Sequence, residues 1–272
     1  MAITLRPPAN LPPERILLYG REGTGKTNAV LSIARRIPSA RFHVIDTDYS
    51  PSYERLLATE FSDVGERGNV EVSLVMPDDW AELIDEVARI TSRMTPEDWL
   101  VIDSMTPTWG AVQEWYVDKV FGASGWDEYL LDVRQKREKA KAKGAKVKAL
   151  EPLDGWMDWS VINPTYFRLY KRTLRGNPGH LIYTAEASKL GDNEDRGTRD
   201  LYGEIGFKPA GQKKLGHTTQ TVLYLSKGRN GWGVTTIMDR GRAELDDEDL
   251  ENFARDYLQK IAGWKPAKYE EE

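Results

Sequence analysis

The sequence predicts an α/β protein with a mainly parallel sheet, helices on both faces of that sheet, and a C-terminal β-hairpin. Three observations carry this prediction. Short apolar runs alternate with segments of helical periodicity, a glycine-rich turn joins the first strand to the first helix, and two strand-like runs flank the sequence GRNG. At 272 residues, 40% hydrophobic and 30% charged, the chain suits one large α/β domain or two small ones.

The first half of the chain alternates predicted strands with predicted helices. The strands are the apolar runs 15–20, 41–48, 69–76 and 99–104. The helices, whose apolar residues recur at helical spacing, are 25–37, 51–61 and 78–94. Pro38 ends the first helix and Pro51 begins the second. This alternation favours parallel strands that are buried on both faces.

The second half of the chain is less regular. The predicted elements are an aromatic-rich helix within 107–150, a helix over 163–176, a strand over 180–187, hairpin strands over 219–227 and 232–240, and a helix over 246–263. The basic run 134–148 follows the aromatic-rich helix. Residues 190–216 have no clear period and are predicted to form a mobile loop.

These segments predict three parts of unequal size. An irregular N-terminal arm occupies residues 1–14, a core occupies 15–245, and a helix with an acidic tail occupies 246–272. Within the core we expect a basic helical insertion at about 123–160 and the mobile loop at about 190–216.

Composition excludes several classes of function. The chain has no cysteine, which rules out disulfides and thiolate metal sites and fits a reducing compartment. No apolar run approaches the ~20 residues that a membrane span needs, so we expect a cytoplasmic protein with no membrane partner. The net charge of −5 means that any nucleic-acid surface must be local.

The glycine-rich turn GREGTGKT matches the phosphate-loop pattern G-x-x-x-x-G-K-[ST] at every fixed position. Its glycines allow a tight turn that aims backbone N–H groups at an anion, Lys26 is expected to reach the β- and γ-phosphates, and Thr27 is expected to bind Mg²⁺. The alternative, a chance match, is disfavoured because the turn follows a strand and opens a helix. The predicted ATP-binding residues here are Gly20, Glu22, Gly23, Thr24, Gly25, Lys26, Thr27 and Asn28.

Asp103 is the candidate for the second metal-binding position. It closes the apolar run WLVID, and ligands in open α/β sheets gather at the carboxyl ends of strands. The alternative is a carboxylate that caps the following loop.

The segment VIDTDYSPSYERLL (44–57) resembles the RecA family at the place where that family carries its catalytic carboxylate. The resemblance implies that Asp48, with Asp46 beside it, polarises the attacking water, and that the ring of Tyr53 packs on adenine. Because the family usually has Glu where this chain has Asp, both aspartates stay candidates for the base. The alternative is that they cap the next helix.

The segment HLIYTAEASKLG (180–191) resembles the RecA-type strand that senses the γ-phosphate and leads into a DNA-binding loop. Thr184 and Glu186 are the polar residues where the family usually has Gln. The resemblance implies that the following loop contacts single-stranded DNA, against the alternative of a solvated surface loop. Its basic residues are Lys189, Arg196, Arg199, Lys208, Lys213 and Lys214.

The segment IMDRGRAEL (237–245) lies where RecA-like ATPases place basic residues that reach a neighbouring subunit. The resemblance makes Arg240 and Arg242 candidate trans-acting fingers on the neighbour's γ-phosphate. The alternative is a pair of surface arginines beside the acidic residues 246–249.

The basic run 134–148 has eight Lys or Arg residues against one Glu, which favours contact with phosphates. Nearby indoles are candidates for stacking on unpaired bases: Trp109, Trp115, Trp126, Trp156 and Trp159. The alternative is a solvated helix above core tryptophans.

Over residues 14–245 the chain is similar to phage nucleotide-binding proteins of the RecA-like group, which include ATPases associated with single-strand annealing. That resemblance implies a homo-oligomeric, Mg²⁺-dependent ATPase acting on or with single-stranded DNA in phage recombination or replication, within an infected bacterium. A single-strand annealing or single-strand-binding protein is the candidate partner. Two alternatives stay open: a motor or packaging ATPase, and a slow nucleotide-dependent binding or loader module.

Overall fold

The computed structural model describes residues 12–76, 78–143, 153, 157–228, 231–240, 242, 257 and 258, with the backbone of 5–6, 249–250 and 265–266. Three predicted features lie wholly or largely outside those residues. They are Trp156, the end of the basic run from 144 to 148, and the acidic tail.

A single path of eight strands forms the main sheet, in the order β10-β9-β8-β2-β6-β5-β3-β4. The strands of the described residues are β1 Leu5–Arg6, β2 Arg15–Gly20, β3 Phe42–Asp46, β4 Val70–Leu74, β5 Trp99–Asp103, β6 His180–Lys189, β7 Phe207–Pro209, β8 Thr221–Gly228, β9 Gly231–Asp239, β10 Asp249–Leu250 and β11 Lys265–Pro266. Strands β8, β2, β6, β5, β3 and β4 run parallel, and β9 and β10 add antiparallel strands at one side. Strand β6 separates β2 from β5.

The α-helices of the described residues are α1 Lys26–Arg36, α2 Ser52–Ala58, α3 Ser62–Arg67, α4 Trp80–Thr91, α5 Met105–Phe121, α6 Trp126–Ala142, α7 Met157–Tyr170 and α8 Arg196–Tyr202. The helices predicted over 25–37, 51–61 and 78–94 are present with shorter bounds, and the one predicted over 163–176 begins earlier, at Met157. The aromatic-rich stretch forms two helices, and α3 and α8 were not predicted. A π-helical turn, Lys171–Arg175, extends α7. The predicted helix 51–61 ends three residues early, because the chain turns at Thr59 to bury Phe61. None of the described helices is both long enough and apolar enough to cross a bilayer.

Apolar layers lie on both faces of the sheet. On one face, α1 and α3 contribute Val30 and Val64, which pack with Ile16 of β2. On the other face, α4, α5 and α7 pack on the sheet, with Leu83 and Ile162 in that layer. A fully buried side chain of this kind contributes about 1.5–3 kcal/mol. The predicted α/β architecture is therefore confirmed: a mainly parallel sheet with helices on both faces and a C-terminal hairpin, β8–β9.

Two segments differ from the prediction. Residues 190–216 contain α8 and β7, and β7 pairs antiparallel with Ala187, Ser188 and Lys189, which carry β6 beyond its main-sheet partners. Within the predicted helix 246–263, Asp249–Leu250 is instead a strand beside β9. Apart from that pair and Tyr257 and Leu258, that segment lies outside the described residues.

The two ends of the chain meet on the core. Leu5 and Arg6 of β1 pair antiparallel with β11. Tyr257 and Leu258 are fully buried in the layer that contains α1. Glu14, at the end of the predicted irregular arm, is only 5% exposed. The arm is thus joined to the C-terminal segment.

Candidate functional site

The phosphate loop connects β2 to α1, and its glycines are required by geometry. A Cβ atom on Gly20 would lie 2.4 Å from the Thr24 hydroxyl oxygen and 2.6 Å from the Leu225 carbonyl oxygen, which no side chain tolerates. Gly23 and Gly25 adopt left-handed φ angles of +72° and +84°. The predicted turn is therefore present, and its glycine pattern follows from close packing and backbone conformation.

Positive groups converge on this loop. Lys26 Nζ donates to the carbonyl oxygens of Gly20 at 3.1 Å and Arg21 at 3.3 Å, so the ammonium group lies over the loop. The first turn of α1 contains no acidic residue. A helix N-terminus and a lysine with no carboxylate beside them in that turn favour an anion.

Asp103, at the end of β5, is held by three hydroxyl groups from three parts of the chain. Its Oδ2 accepts from the Thr27 hydroxyl at 3.3 Å and from the Tyr53 hydroxyl at 2.8 Å, and its Oδ1 accepts from Thr184. Burial, and then the Asp103 carboxylate, raise the pKa of Tyr53 well above its ordinary value, which keeps that phenol a donor. The carboxylate orientation is thus fixed before any ligand binds.

The structure corrects the role predicted for Tyr53. The residue lies in the wall of the cleft but is only 2% exposed, and its hydroxyl group is directed at Asp103, so its ring offers almost no accessible surface to adenine. Thr184 is likewise fully buried behind Asp103. Glu186, two residues further along β6, is exposed and lines the cleft beside the phosphate loop.

Asp46 and Asp48 lie beside Asp103 but differ in accessibility. Asp46 is 3% exposed, and its Oδ1 accepts from the Asp48 backbone N–H at 2.9 Å. Asp48 is exposed, and its Oδ1 accepts from the Ser104 hydroxyl at 3.0 Å. Burial raises the pKa of Asp46 to about 6. Partial desolvation of the carboxyl group, and then the Asp103 charge, raise the pKa of Asp48.

The raised pKa of Asp46 predicts that Asp46→Asn stabilises the fold at neutral pH. An Asp whose folded pKa is above its unfolded pKa destabilises the folded state when both forms are ionised, by up to about 3 kcal/mol for a shift from 3.8 to about 6. As the pH falls from 6 towards 4, the folded carboxyl group takes up a proton first, and this penalty disappears. Urea unfolding at about pH 8 and about pH 5 should give a larger stability gain for the variant at the higher pH. An equal gain at both pH values would contradict the prediction.

A cleft of about 560 Å³ joins these residues. It is lined by the phosphate loop, Asp46, Asp48, Asp103, Glu186 and Trp232. Its size falls in the range of small-ligand sites. Sequence reasoning missed Trp232, which lies on β9 with 54% of its surface exposed, and treated the neighbouring GRNG sequence only as a turn. An aromatic residue next to a hairpin turn gives no signal that it lies beside a loop some two hundred residues earlier.

The structure also corrects the role predicted for Arg242. Its guanidinium group donates to Asp239 Oδ2 at 2.8 Å and to Glu14 Oε2 at 3.1 Å, and its side chain is 15% exposed. The Tyr257 hydroxyl group contacts the same cluster. A guanidinium enclosed by two carboxylates is not available to a neighbouring subunit, so Arg242 is a structural residue.

Arg240 is exposed, but it lies at the far side of the sheet from its own phosphate loop. Arg240 follows Asp239, which pairs with Thr221 at the beginning of β8. The phosphate loop lies near the other end of β8, where Leu225 adjoins Gly20. Its guanidinium lies 3.5 Å from His217 Nδ1. The residue therefore points away from the site in its own chain.

A second cleft, of about 520 Å³, occurs where the sequence predicts a mobile loop. It is lined by the beginning of α8, by β7 and by residues 210–217. Lys208 pairs with Glu194 there, while Lys213 has no ion pair within the described ranges. The basic charge predicted for this segment is thus partly neutralised.

The basic helix α6 is largely solvated, and Tyr129 is its one buried residue. Lys136 and Lys141 form ion pairs with acidic residues of the same helix. The described tryptophans near it are half-buried and pack on the core: Trp109, Trp115, Trp126 and Trp159.

The family comparison agrees with this geometry. The AAA domain family matches residues 13–229. No curated protein matches the sequence. Among solved structures, the RadB recombinase aligns with a TM-score of 0.47 and 13% identity, over 86% of this chain and 84% of that chain.

Two further solved structures are longer than this chain. The ATP synthase subunit NeqB from Nanoarcheaum equitans aligns with a TM-score of 0.45 and 12% identity, over 91% of this chain and 57% of that one. The ATPase EscN from the type III secretion system of enteropathogenic E. coli aligns with a TM-score of 0.43 and 13% identity, over 79% and 42%. This chain therefore spans about half the length of each.

With a phosphate loop, an oriented carboxylate and a family match over most of its length, the chain belongs to the AAA domain family.

Proposed function

We propose that this protein is a Mg²⁺-dependent ATPase that acts on or with single-stranded DNA, in phage recombination or replication within a bacterial cytoplasm. The observation that carries the nucleotide part is the convergence of Lys26, Thr27 and Asp103 in one cleft at the carboxyl ends of parallel strands.

The donor atoms present suit Mg²⁺. The Thr27 hydroxyl and the Asp103 carboxylate, 3.3 Å apart, supply hard oxygen ligands, and Mg²⁺ commonly takes one or two such groups together with substrate phosphates. When bound, the ion neutralises charge that develops on the phosphates.

Asp48 is the proposed base for the attacking water. It is exposed in the cleft, and its Oδ2 is left for a water when Oδ1 accepts from Ser104. Asp46 is buried and holds the Asp48 backbone N–H, so it is proposed as a positioning residue. The raised pKa of Asp48 brings it nearer to neutral pH, where a general base works best.

The distribution of basic residues supports the proposed binding of DNA. Lys213 and Lys214 line the second cleft together with Lys208, which is paired with Glu194, and α6 exposes further lysines and arginines. Arg240, which points away from its own phosphate loop, is proposed to reach the γ-phosphate of a neighbouring subunit. That role requires a homo-oligomer, and the basic surface is proposed to receive a single-strand annealing or single-strand-binding protein together with its DNA.

The test is steady-state ATP hydrolysis with and without single-stranded DNA at two salt concentrations, with Lys26→Ala as control. We expect stimulation that weakens as salt rises, because counterion release drives phosphate contacts, and that vanishes in the control. A hydrolysis rate that single-stranded DNA does not change at either salt concentration would overturn the proposed action on DNA. Stronger stimulation by duplex DNA would favour a motor or packaging ATPase.

A second candidate function, a slow nucleotide-dependent binding or loader module, is favoured by one observation. Both candidate bases are short aspartates, and each already accepts a hydrogen bond from the protein. A water held by such a group is less well activated than one held by a longer, free carboxylate. ATP-dependent partner binding with turnover below about one per minute would support this candidate, since typical enzymes turn over far faster.

A further inference from the structure

A smaller recess opens from the nucleotide cleft behind the phosphate loop. It holds about 230 Å³, below the usual size for a whole ligand, and it shares Gly25, Asn28 and Trp232 with the larger cleft. A ligand whose phosphates lie on the loop can therefore extend a second group into it.

The wall of the recess is apolar and rigid. Phe61, Leu225 and Val234 are each less than 10% exposed. Arg35 places its guanidinium 4.3 Å from the centroid of the Phe61 ring and donates to the Glu60 carbonyl oxygen. The corner at residues 60–61 is thus fixed to α1.

The opening of the recess carries an aromatic platform. The Trp232 ring approaches the phosphate loop so closely that a Cβ atom on Gly25 would lie 3.2 Å from it. Lys227, paired with Trp232 across the hairpin, places its ammonium group 4.5 Å from the ring centroid. An exposed indole held in this way provides a flat face on which a planar base can stack.

The rim of the recess carries a donor beside an acceptor. Asn28 Nδ2 donates to Glu60 Oε2 at 3.3 Å, which leaves the second carboxylate oxygen and one amide hydrogen for a ligand. An acceptor next to a donor complements the 6-amino group and N1 of adenine. A guanine in the same pose would direct its O6 carbonyl oxygen at the Glu60 carboxylate, and the two acceptors would repel.

From these contacts we propose that this recess is the nucleobase site, that Trp232 is its stacking platform, and that Asn28 and Glu60 select adenine by its 6-amino edge. The proposal rests on the proposed function, because it requires a nucleoside triphosphate on the phosphate loop. It assigns to Trp232 the stacking role that the sequence predicts for Tyr53.

The test of the platform compares ATP with inorganic tripolyphosphate, which has no base, by calorimetric binding to the full chain. In Trp232→Ala we expect ATP to bind about 5- to 150-fold more weakly, the range for a base stacked on an aromatic side chain, with tripolyphosphate affinity unchanged. Trp232→Phe should restore most of the loss. Equal weakening of both ligands, or no weakening of ATP, would overturn the role of Trp232.

Lys26→Ala separates this proposal from the proposed function. It should weaken both ligands in proportion, because both contact the loop through phosphate. If Lys26→Ala binds both ligands as tightly as the wild type does, or if the wild type binds neither, the proposed function is overturned. If both bind but Trp232→Ala acts on neither selectively, only the base site fails.

The test of the selecting pair uses Glu60→Gln, with the exposed Glu54→Gln on α2 as matched control. The wild type should prefer ATP about tenfold over the triphosphate of purine riboside, which lacks the 6-amino group, as expected for one charge-assisted hydrogen bond at a partly exposed site. Glu60→Gln should reduce that preference towards unity by weakening ATP alone, and Glu54→Gln should keep it. An unchanged preference in Glu60→Gln would overturn the assignment of Glu60.

Discussion

Asp103→Asn is expected to lower kcat for ATP hydrolysis by about 100- to 1,000-fold, the range typical of losing one preorganised electrostatic group. The carboxylate accepts hydrogen bonds from Thr27, Tyr53 and Thr184. An amide keeps one acceptor oxygen, but it loses the negative charge and turns an NH₂ group towards at least one of these hydroxyls. The variant therefore lacks the negative charge at the proposed metal site, and the Thr27 hydroxyl loses the carboxylate that orients it.

Steady-state rates across a range of Mg²⁺ concentrations would measure this effect. The control is Glu97→Gln, an exposed residue shortly before β5 begins, at the other end of the strand from the cleft. A surface change of that kind usually alters stability by less than about 0.5 kcal/mol. If Asp103→Asn keeps the wild-type kcat at saturating Mg²⁺, Asp103 is only a structural residue of the cleft.

Arg242→Ala is expected to destabilise the fold by about 3–5 kcal/mol, because breaking a buried ion pair leaves uncompensated charge behind. Glu14 and Asp239 would then face each other without their shared cation, in a cluster where Asp239 is fully buried as a side chain and Glu14 nearly so. Since the cluster joins the N-terminal arm to the hairpin and to Tyr257, its loss should loosen both ends of the chain. Urea unfolding followed by circular dichroism measures the change.

Arg240→Ala is the matched variant, since Arg240 lies two residues away and is exposed. It should leave stability within about 0.5 kcal/mol of wild type. If Arg240 acts on a neighbouring subunit as proposed, the variant should lower ATPase activity, and mixing its subunits with wild-type subunits should inhibit the wild-type activity. If Arg242→Ala unfolds at the wild-type urea concentration, the cluster contributes no stability.

Local patterns predicted the phosphate loop, Asp103 and most strands, since each depends on neighbouring residues. Gly20, Lys26 and Thr27 lie within one loop, and the short apolar run before Asp103 favoured a buried strand. The hairpin was predictable for the same reason, with one short sequence joining two strand-like runs. For such features the chemistry of a few consecutive residues determines the geometry.

Features that depend on distant partners escaped prediction. Arg242 is structural because Glu14, 228 positions away, folds against it. Trp232 lies at the nucleotide cleft only because β8 pairs beside β2. Helix α8 has seven residues, too few to reveal a period, and its N-terminal contact, in which Asp195 accepts from the Thr198 N–H, became visible only in the structure.

Strand β6 has a mechanical consequence for the molecule. Thr184, Glu186 and Ser188 follow one another on a single extended segment, and they belong in turn to the Asp103 network, the first cleft and the second cleft. The Glu186 carbonyl oxygen also accepts from the Ala210 N–H at 2.7 Å, so the strand is tied to the wall of the second cleft. Four residues of strand span about 13 Å without a hinge. One continuous strand therefore borders both clefts, and if an occupant of one cleft shifts this strand and changes the affinity of the other, linkage requires the reverse effect to have the same factor.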